Sequence, residues 1–423
     1  MKRVAIVGAG AGGTLLANLL AHSFSKEIAK REVSVNLFGE GNEHFFQPGA
    51  LDIAFRGADP KGSIRNEASL LKEGVVYDGN GVARVDMKAK TVTTRKGSVF
   101  AYDYVAFSTG AVADPGIMPG LREGSLNFHT GPLSAAKIWE ALQSFNSGTV
   151  AVAVTGVPHK CPPSPNEAAF LLEEFLRKRK IRESVKIKFL TPYPRAYPAE
   201  HVSKVVDELF EERGIKLVPF FAADHVDPAA KKIYNLEGES EDYDMLIAVP
   251  PHRGAQVIRD SGIGDEEGWI PADRHTMKMK DQTEAYAIGD GTDISISKSG
   301  VVAHLQAETV AKSLTAEIRG RPEVFEYNGR INCPMETGRR RALFVAGTYE
   351  TPPPAERPTL LRYAMKREFA KIYWSTIQGG WSWLMDAYFG ETSEPHEIDR
   401  STASTVARGS KASHPLEEPS QPV

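Results

Sequence analysis

Apolar positions along this chain switch between a strand period and a helix period. Residues 4–7 form a short apolar run, and the stretch 14–31 then carries Leu15, Leu16, Leu19 and Leu20 on one helical face before a second strand-like run at 33–38. Strand, helix and strand make a βαβ unit, whose crossover favours parallel pairing within an α/β sheet. Runs at 82–86, 91–94 and 103–108, with Gly97 turning between the last two, predict a small antiparallel insert and a return to the parallel sheet. A second α/β block opens at 149–154, continues through a helix at 166–179, a strand at 185–190 and a helix at 202–213, and closes with a strand at 244–249. The first pattern resumes at 285–290, followed by a helix over 301–318.

Pro352, Pro353, Pro354 and Pro358 interrupt the pattern, and 360–389 is then rich in aromatic and apolar residues. Leu360, Leu361, Tyr363, Ala364, Phe369, Ile372, Tyr373, Trp374 and Ile377 recur at helical spacing, interleaved with Arg357, Arg362, Lys366, Arg367 and Lys371 and followed by Trp381 and Trp383. A basic amphipathic helix with clustered Trp suits a bilayer interface; packing of the same stripe on the protein body is the alternative. The last stretch, 391–423, is Ser, Pro, Glu and Thr with few hydrophobics, which predicts disorder.

With 423 residues, 41% of them hydrophobic, the chain is long enough for two or three domains with their own cores. A formal net charge of −3, without a long run of Lys and Arg, excludes nucleic acid as an expected partner. The uncharged stretch 4–25 after a basic start has the outline of a signal peptide or a membrane span. Gly8, Gly10, Gly12 and Gly13 would break such a helix, so the expectation is a cytoplasmic chain with no transmembrane segment.

The same glycines suit a nucleotide. Gly8-x-Gly10-x-x-Gly13 lies between a strand and a helix, so backbone N–H groups and the helix N-terminus can meet a pyrophosphate with no side chain in the way. Glu40, just past the second strand, is placed to accept hydrogen bonds from an adenosine ribose. The turn after 150–154, where a second nucleotide would need similar glycines, reads Thr155-Gly156-Val157-Pro158-His159-Lys160-Cys161-Pro162-Pro163-Ser164-Pro165-Asn166-Glu167. Proline has no N–H to donate and its ring fills space, so NADH is not the expected electron donor. Cys161 sits instead at the mouth of a helix beside His159 and Lys160, which predicts a lowered thiol pKa. The other cysteine is Cys333; the pair lacks CxxC spacing, and no metal is expected.

Several segments together resemble one family. They are the Cys161–Glu167 stretch, the turn Pro250-Pro251-His252-Arg253, the step Lys298-Ser299-Gly300, and Cys333 within Tyr327-Asn328-Gly329-Arg330-Ile331-Asn332-Cys333-Pro334. The order of motifs agrees: Ser108-Thr109-Gly110-Ala111 ends a strand of the first block, and Ile288-Gly289-Asp290 completes that block after the second has intervened. The chain is thereby similar, over roughly residues 1–390, to the sulfide:quinone oxidoreductase and flavocytochrome c sulfide dehydrogenase flavoproteins, which have two dinucleotide-binding domains.

This resemblance implies an α/β fold of two Rossmann-like domains plus a C-terminal amphipathic helical region. The FAD-binding domain would comprise 1–112 and 283–320, interrupted by a second Rossmann-like domain at 113–282 carrying Cys161; 321–390 would hold Cys333 and membrane-interface helices, and 391–423 a disordered tail. It implies FAD rather than NAD, held by Gly8, Gly10, Gly13, Glu40, Thr109, Gly110, Gly289 and Asp290. Many members have a third cysteine in the segment that here reads Asn127-Phe128-His129-Thr130; with only two, no thiol is left to tether the flavin, so FAD is expected to be non-covalent.

Cys161 and Cys333 are implied as a redox-active disulfide pair that takes electrons from sulfide, yielding zero-valent sulfur or polysulfide and passing electrons through the flavin to a membrane quinone. His129, His201 and His252 are candidate proton handlers, of which His252 matches the family best. Lys298 is a candidate for stabilising reduced flavin, and Phe45-Phe46-Gln47-Pro48 for receiving the quinone head. The expected location is peripheral, on the cytoplasmic side of the membrane, with a homo-oligomer left open. Three alternatives stand beside this reading. A flavocytochrome subunit is disfavoured by the absence of CxxCH and of a signal, and a type II NADH:quinone dehydrogenase by the lost second glycine motif. A flavin-bound redox sensor would tolerate serine at both cysteines.

Overall fold

The computed structural model describes residues 1–380 and the short strand Pro395–Glu397. Its first sheet has five parallel strands in the order Ala285–Ala287, Tyr104–Phe107, Lys2–Val7, Val33–Phe38, Val75–Asp78. Tyr104–Phe107 and Ala285–Ala287 are adjacent in this sheet although most of the second block lies between them in sequence. The return of the first pattern at 285 is therefore a return to the same sheet. Helices Ala11–Ser23 and Gly300–Ile318 pack on it, burying Leu15, Leu16, Leu20, Val302, Leu305 and Val310. Each such side chain contributes about 2 kcal/mol of apolar burial. The helix predicted over 14–31 is divided at Phe24, where a buried ring separates Ala11–Ser23 from Ser25–Ala29.

The second sheet runs Ile215–Val218, Val185–Leu190, Gly148–Val154, Met245–Val249, all parallel. Gly148–Val154 and Met245–Val249 are apolar on both faces, as parallel strands between layers require, whereas Val185–Leu190 and Ile215–Val218 turn Lys186, Lys188 and Lys216 outward. Each block carries a three-stranded antiparallel insert, 82–101 in the first and 223–242 in the second. A two-stranded ribbon, Ala111–Ala113 against His252–Gly254, joins the path into the second block to the path out of it. The hairpin Ile331–Glu336 and Ala342–Gly347 packs on the second block, adding Cys333, Met335, Leu343 and Val345 to its core.

The predicted C-terminal helix forms as Leu360–Ile377, and part of its stripe is used within the molecule. Tyr373 and Ile377 are buried with Phe46 and Leu70, while Leu360 and Leu361 remain exposed. Among the described residues no helix is long and apolar enough to cross a membrane. Trp381, Trp383 and most of the tail expected to be disordered lie outside the described residues; Pro395–Glu397 departs from that expectation by pairing with Glu323–Phe325.

Candidate active site

The glycine turn is built as its spacing predicts. A Cβ on Gly8, which has φ +109°, would lie 2.3 Å from the Ser108 carbonyl oxygen, and one on Gly13 would lie 1.9 Å from that of Gly8. Those two glycines are demanded by the close approach of strand, turn and helix. Gly10 differs, because nothing lies within 4 Å of its Cβ position. It caps helix Ala11–Ser23, whose first turn receives no side-chain cap, leaving N–H groups facing that open space.

Two further strand ends meet there. Gly110 has open space at its Cβ position, and a Cβ on Gly291 would lie 3.0 Å from the Gly110 carbonyl oxygen. Thr109 Oγ1 and Asp290 Oδ1 are both buried without a hydrogen-bond partner among the described residues. Buried polar atoms are normally satisfied, so a hydroxyl and a carboxyl left unpaired at one sheet edge fit a polar cofactor that pairs with them. The site residues present thus suit FAD. Gly289, at φ +72°, donates its N–H to Gln306 Oε1 at 2.7 Å and shapes the turn that presents Asp290. Glu40 lies past the end of the adjacent strand, exposed and ion-paired with Arg95.

The second glycine turn is closed by the protein itself. A Cβ on Gly156 would lie 2.7 Å from Pro251 Cα, so the Pro250–Pro251 turn covers the position a second dinucleotide would occupy.

Cys161 and Cys333 converge on one short segment. The Cys161 amide donates to the Lys298 carbonyl at 2.6 Å. Cys333 Sγ lies 3.4 Å from Ser299 Oγ and 3.6 Å from Ser297 Oγ. The three residues 297–299, a few positions beyond Asp290, therefore hold both cysteines at once. Both are free thiols, Cys333 buried and Cys161 half-buried. Cys161 has φ +53°, a left-handed conformation unusual for a side chain other than glycine.

The electrostatics correct one expectation. Burial pushes the Cys161 thiol well above its ordinary pKa, with Glu167 and Cys333 adding to the effect and Lys366 and Ser164 opposing it. Cys333 is also raised, chiefly by burial. Position near a helix start and next to Lys160 does not lower the thiol here, because its own burial outweighs both; Lys160 is itself lowered by burial, with Asp290 and Cys161 opposing. Asp290 is raised by burial against the pull of Lys160 and Lys298. The Lys298 ammonium donates to the carbonyls of Asp290 (3.0 Å) and Thr292 (2.8 Å) and sits 4.4 Å from the Trp269 ring centre.

Three imidazoles gather beside Cys161. The ring centres of His129 and His252 are 5.2 Å apart, those of His129 and His159 6.3 Å, and those of His159 and His252 6.4 Å. His129 Nε2 lies 3.2 Å from the hydroxyl of Ser164, whose backbone N–H donates to the Cys161 carbonyl at 2.8 Å. His252 Nδ1 donates to the Pro250 carbonyl at 2.8 Å, leaving Nε2 buried without a partner among the described residues. Burial, with Lys160 nearby, holds His252 down to about 3, and His129 and His159 are lowered as well, so all three are neutral bases at pH 7. His201 stands apart, exposed on helix Glu200–Glu212.

Sequence reasoning missed Ser297 and Ser299 as partners of the Cys333 thiol and Ser164 as the partner of His129, and named His159 only as a neighbour. Their signal was nearness in sequence to Cys161 and Lys298. The segment expected to receive a quinone is divided: Phe46 is buried 4.6 Å from the Tyr373 ring, Phe45 is half-buried, and Gln47 and Pro48 are exposed. Phe46 is thus occupied in holding the C-terminal helix.

Comparison with known proteins agrees with this geometry. The family profile for pyridine nucleotide-disulphide oxidoreductases matches residues 2–156. The mitochondrial sulfide:quinone oxidoreductase of Mus musculus is 24% identical over 395 residues, covering 89% of this chain and 86% of that one. Its counterpart from Dictyostelium discoideum is 25% identical over 370 residues, covering 82% and 78%. Among solved structures, the sulfide:quinone oxidoreductase of Aquifex aeolicus superposes with a TM-score of 0.81 at 20% identity, covering 95% of this chain and 98% of that one.

Proposed function

We propose that this chain, similar over most of its length to the sulfide:quinone oxidoreductases and sharing their two-domain fold, works as they do: it binds FAD non-covalently, oxidises sulfide at Cys161 and Cys333, and reduces a membrane quinone. The observation that carries the proposal is the convergence of two cysteines, distant in sequence, on residues 297–299 directly after the Asp290 turn.

Gly8, Gly10 and Gly13 would admit the pyrophosphate and Glu40 the adenosine ribose, while Thr109, Gly110, Gly289 and Asp290 would hold the chain leading to the ring. When bound, FAD supplies the two-electron acceptor that returns the thiol pair to its disulfide form.

In that form, hydrosulfide attacks one sulfur of the bridge. The Cys161–Cys333 bond breaks, a new sulfur–sulfur bond forms to the attacked cysteine, and the other cysteine leaves as thiolate; a second hydrosulfide then takes the outer sulfur away as hydrodisulfide, leaving the two thiols that are oxidised back to the bridge. The hydrosulfide proton is taken up by the Ser164–His129 pair, with His252 and His159 as neutral bases behind it. Burial favours the neutral thiol, so the departing cysteine takes up a proton, and that proton must be removed again before the thiols are oxidised back to the bridge; this gives the cluster of neutral bases its role. Lys298 ties the cysteine-holding segment to the Asp290 turn and keeps a positive charge beside the flavin site.

The acceptor would approach between Phe45, Gln47, Pro48 and the C-terminal helix, whose exposed Leu360 and Leu361 and flanking cations suit a peripheral seat on an anionic bilayer. The Pro251 cover over Gly156 supports quinone reduction driven by sulfide over NADH.

Anaerobic sulfide added to the purified protein should bleach the flavin absorbance, and a short-chain quinone should restore it. Cys161→Ser and Cys333→Ser should each abolish or greatly slow bleaching. Flavin that stays oxidised under sulfide but is bleached by NADH would overturn the proposal.

A further inference from the structure

The C-terminal helix reaches into the molecule at one point. Lys366 lies with its ammonium against Glu167 and 3.9 Å from Glu336, and the three side chains are 17%, 3% and 2% exposed. Glu167 is on the first turn of helix Ser164–Lys178, which starts just after Cys161. Glu336 ends the strand Ile331–Glu336 that carries Cys333. Glu167 also accepts the backbone N–H of Glu336 at 2.7 Å, so one carboxylate joins the two cysteine-bearing elements and one lysine covers it. Beside them Arg56 pairs with Glu336, and Asp52 accepts from Arg56 at 2.5 Å and from Arg367 at 2.6 Å. Three carboxylates thus meet three cations, two of which come from consecutive residues of the C-terminal helix.

We propose that Lys366 is a positioning residue for the cysteine pair: bound to Glu167 and Glu336 together, it fixes the helix start that presents Cys161 against the strand that presents Cys333, and makes seating of the C-terminal helix a condition of thiol reactivity. The inference rests on the redox role given to the two cysteines. Charged and titratable groups reach Cys161 from every neighbouring element. Glu167 comes from its own helix, Cys333 from the hairpin, Tyr197 from the loop after Val185–Leu190, Lys160 from the preceding turn, and Lys366 from the C-terminal helix. Glu167 and Lys366 act on the thiol with opposite sign. A broken ion pair would leave one buried charge uncompensated, with consequences that depend on which partner is removed.

The opposition in sign gives the test. In full-length, reduced Cys333→Ser protein, Cys161 is the sole thiol, and its alkylation by iodoacetamide is followed at fixed pH and across pH. Adding Lys366→Met should slow alkylation about three- to tenfold, as expected of an upward change of about half to one pH unit in the thiol midpoint. Glu167→Gln should accelerate it, Lys366→Arg should restore the parent rate, and Lys371→Met, on an exposed position of the same helix, should leave it unchanged. Equal rates in the Lys366→Met and parent proteins would overturn the proposal, as would Lys366→Met and Glu167→Gln changing the rate in the same direction, which is what general loosening would do. If Lys366→Met does not fold, the Lys366→Met/Glu167→Gln pair removes both charges; alkylation no faster than in Glu167→Gln alone then sustains the proposal, and a faster rate overturns it. Sulfide and quinone are absent from these measurements, so failure here is distinct from failure of sulfide to reduce the flavin.

Discussion

The histidine cluster makes a prediction at the scale of single residues that is independent of activity. His252 is buried and held down to about 3, against an ordinary value of about 6.5 in the unfolded chain. A group depressed in this way costs nothing while both states are neutral, so its stability penalty is absent above pH 6.5 and grows as acid protonates the unfolded chain but not the fold. Between pH 7 and pH 5 His252 alone should remove about 2 kcal/mol, with His129 and His159 adding to it in the same window. Urea unfolding of wild type and His252→Asn at both pH values measures this: the pH-dependent loss should shrink by about 2 kcal/mol in the variant, and an unchanged loss would mean that the imidazole is solvated. Ser164 carries the catalytic counterpart. Its backbone N–H donates to the Cys161 carbonyl and its hydroxyl lies 3.2 Å from His129 Nε2, so on the proposed function Ser164→Ala should slow sulfide-dependent flavin bleaching about tenfold or more while leaving the absorbance of bound flavin unchanged. Stopped-flow bleaching would show it, and a wild-type rate would remove Ser164 from the proton path. Residue type marked His129 and His252 as candidate proton handlers, but not their clustering with His159, their burial or the partner Ser164. Lys160 next to Cys161 suggested a thiolate, and only burial, which depends on chain segments far away in sequence, reverses the sign.

At the scale of elements, periodicity served well wherever one element faces one core. The strand at 185–190 and the helix near 301–318 appear as Val185–Leu190 and Gly300–Ile318, because their apolar faces meet a single sheet. Leu360–Ile377 shows why the same signal left a choice open. Its stripe is readable as a bilayer face or as packing on the body, and the structure shows the packing for one end: Tyr373 and Ile377 close over Phe46 and Leu70, with the Tyr373 hydroxyl 2.8 Å from His44 Nε2, while Leu360 and Leu361 stay exposed. Periodicity identifies an apolar face without naming what covers it. The docking end is a local core, so Ile377→Ala, at a fully buried position, should destabilise the protein by about 2–4 kcal/mol. Limited proteolysis should then cut within 360–377 before the rest of the chain; uniform resistance would mean that the helix contributes little to holding itself in place.

The whole molecule repeats one α/β plan twice and uses the two copies differently. The first copy keeps its glycine turn open at Gly10, whereas the second covers Gly156 with Pro251 and places Cys161 a few residues later. On the proposed function, the copy whose glycine turn is closed is the one that carries a redox cysteine to the edge of the other copy. The C-terminal segment completes the arrangement by joining the hairpin of Cys333 to the helix whose outer end faces solvent with Leu360 at 52% and Leu361 at 69% exposure. On the proposed function, sulfide enters from the aqueous side and quinone from the bilayer, so the two half-reactions should be separable by altering only that outer end. Leu360→Ser/Leu361→Ser removes two exposed apolar side chains, each contributing about 1–2 kcal/mol on insertion into a lipid interface. The double variant should co-sediment about tenfold or more weakly with vesicles containing anionic lipid, and should show a raised KM for quinone supplied in those vesicles. Sulfide-driven bleaching in detergent should be unchanged, because neither leucine takes part in the packing that holds Cys161 and Cys333. Vesicle binding equal to wild type would assign the membrane contact to another surface, whereas slowed bleaching would mean that the helix end acts on the cysteine site as well as on the lipid.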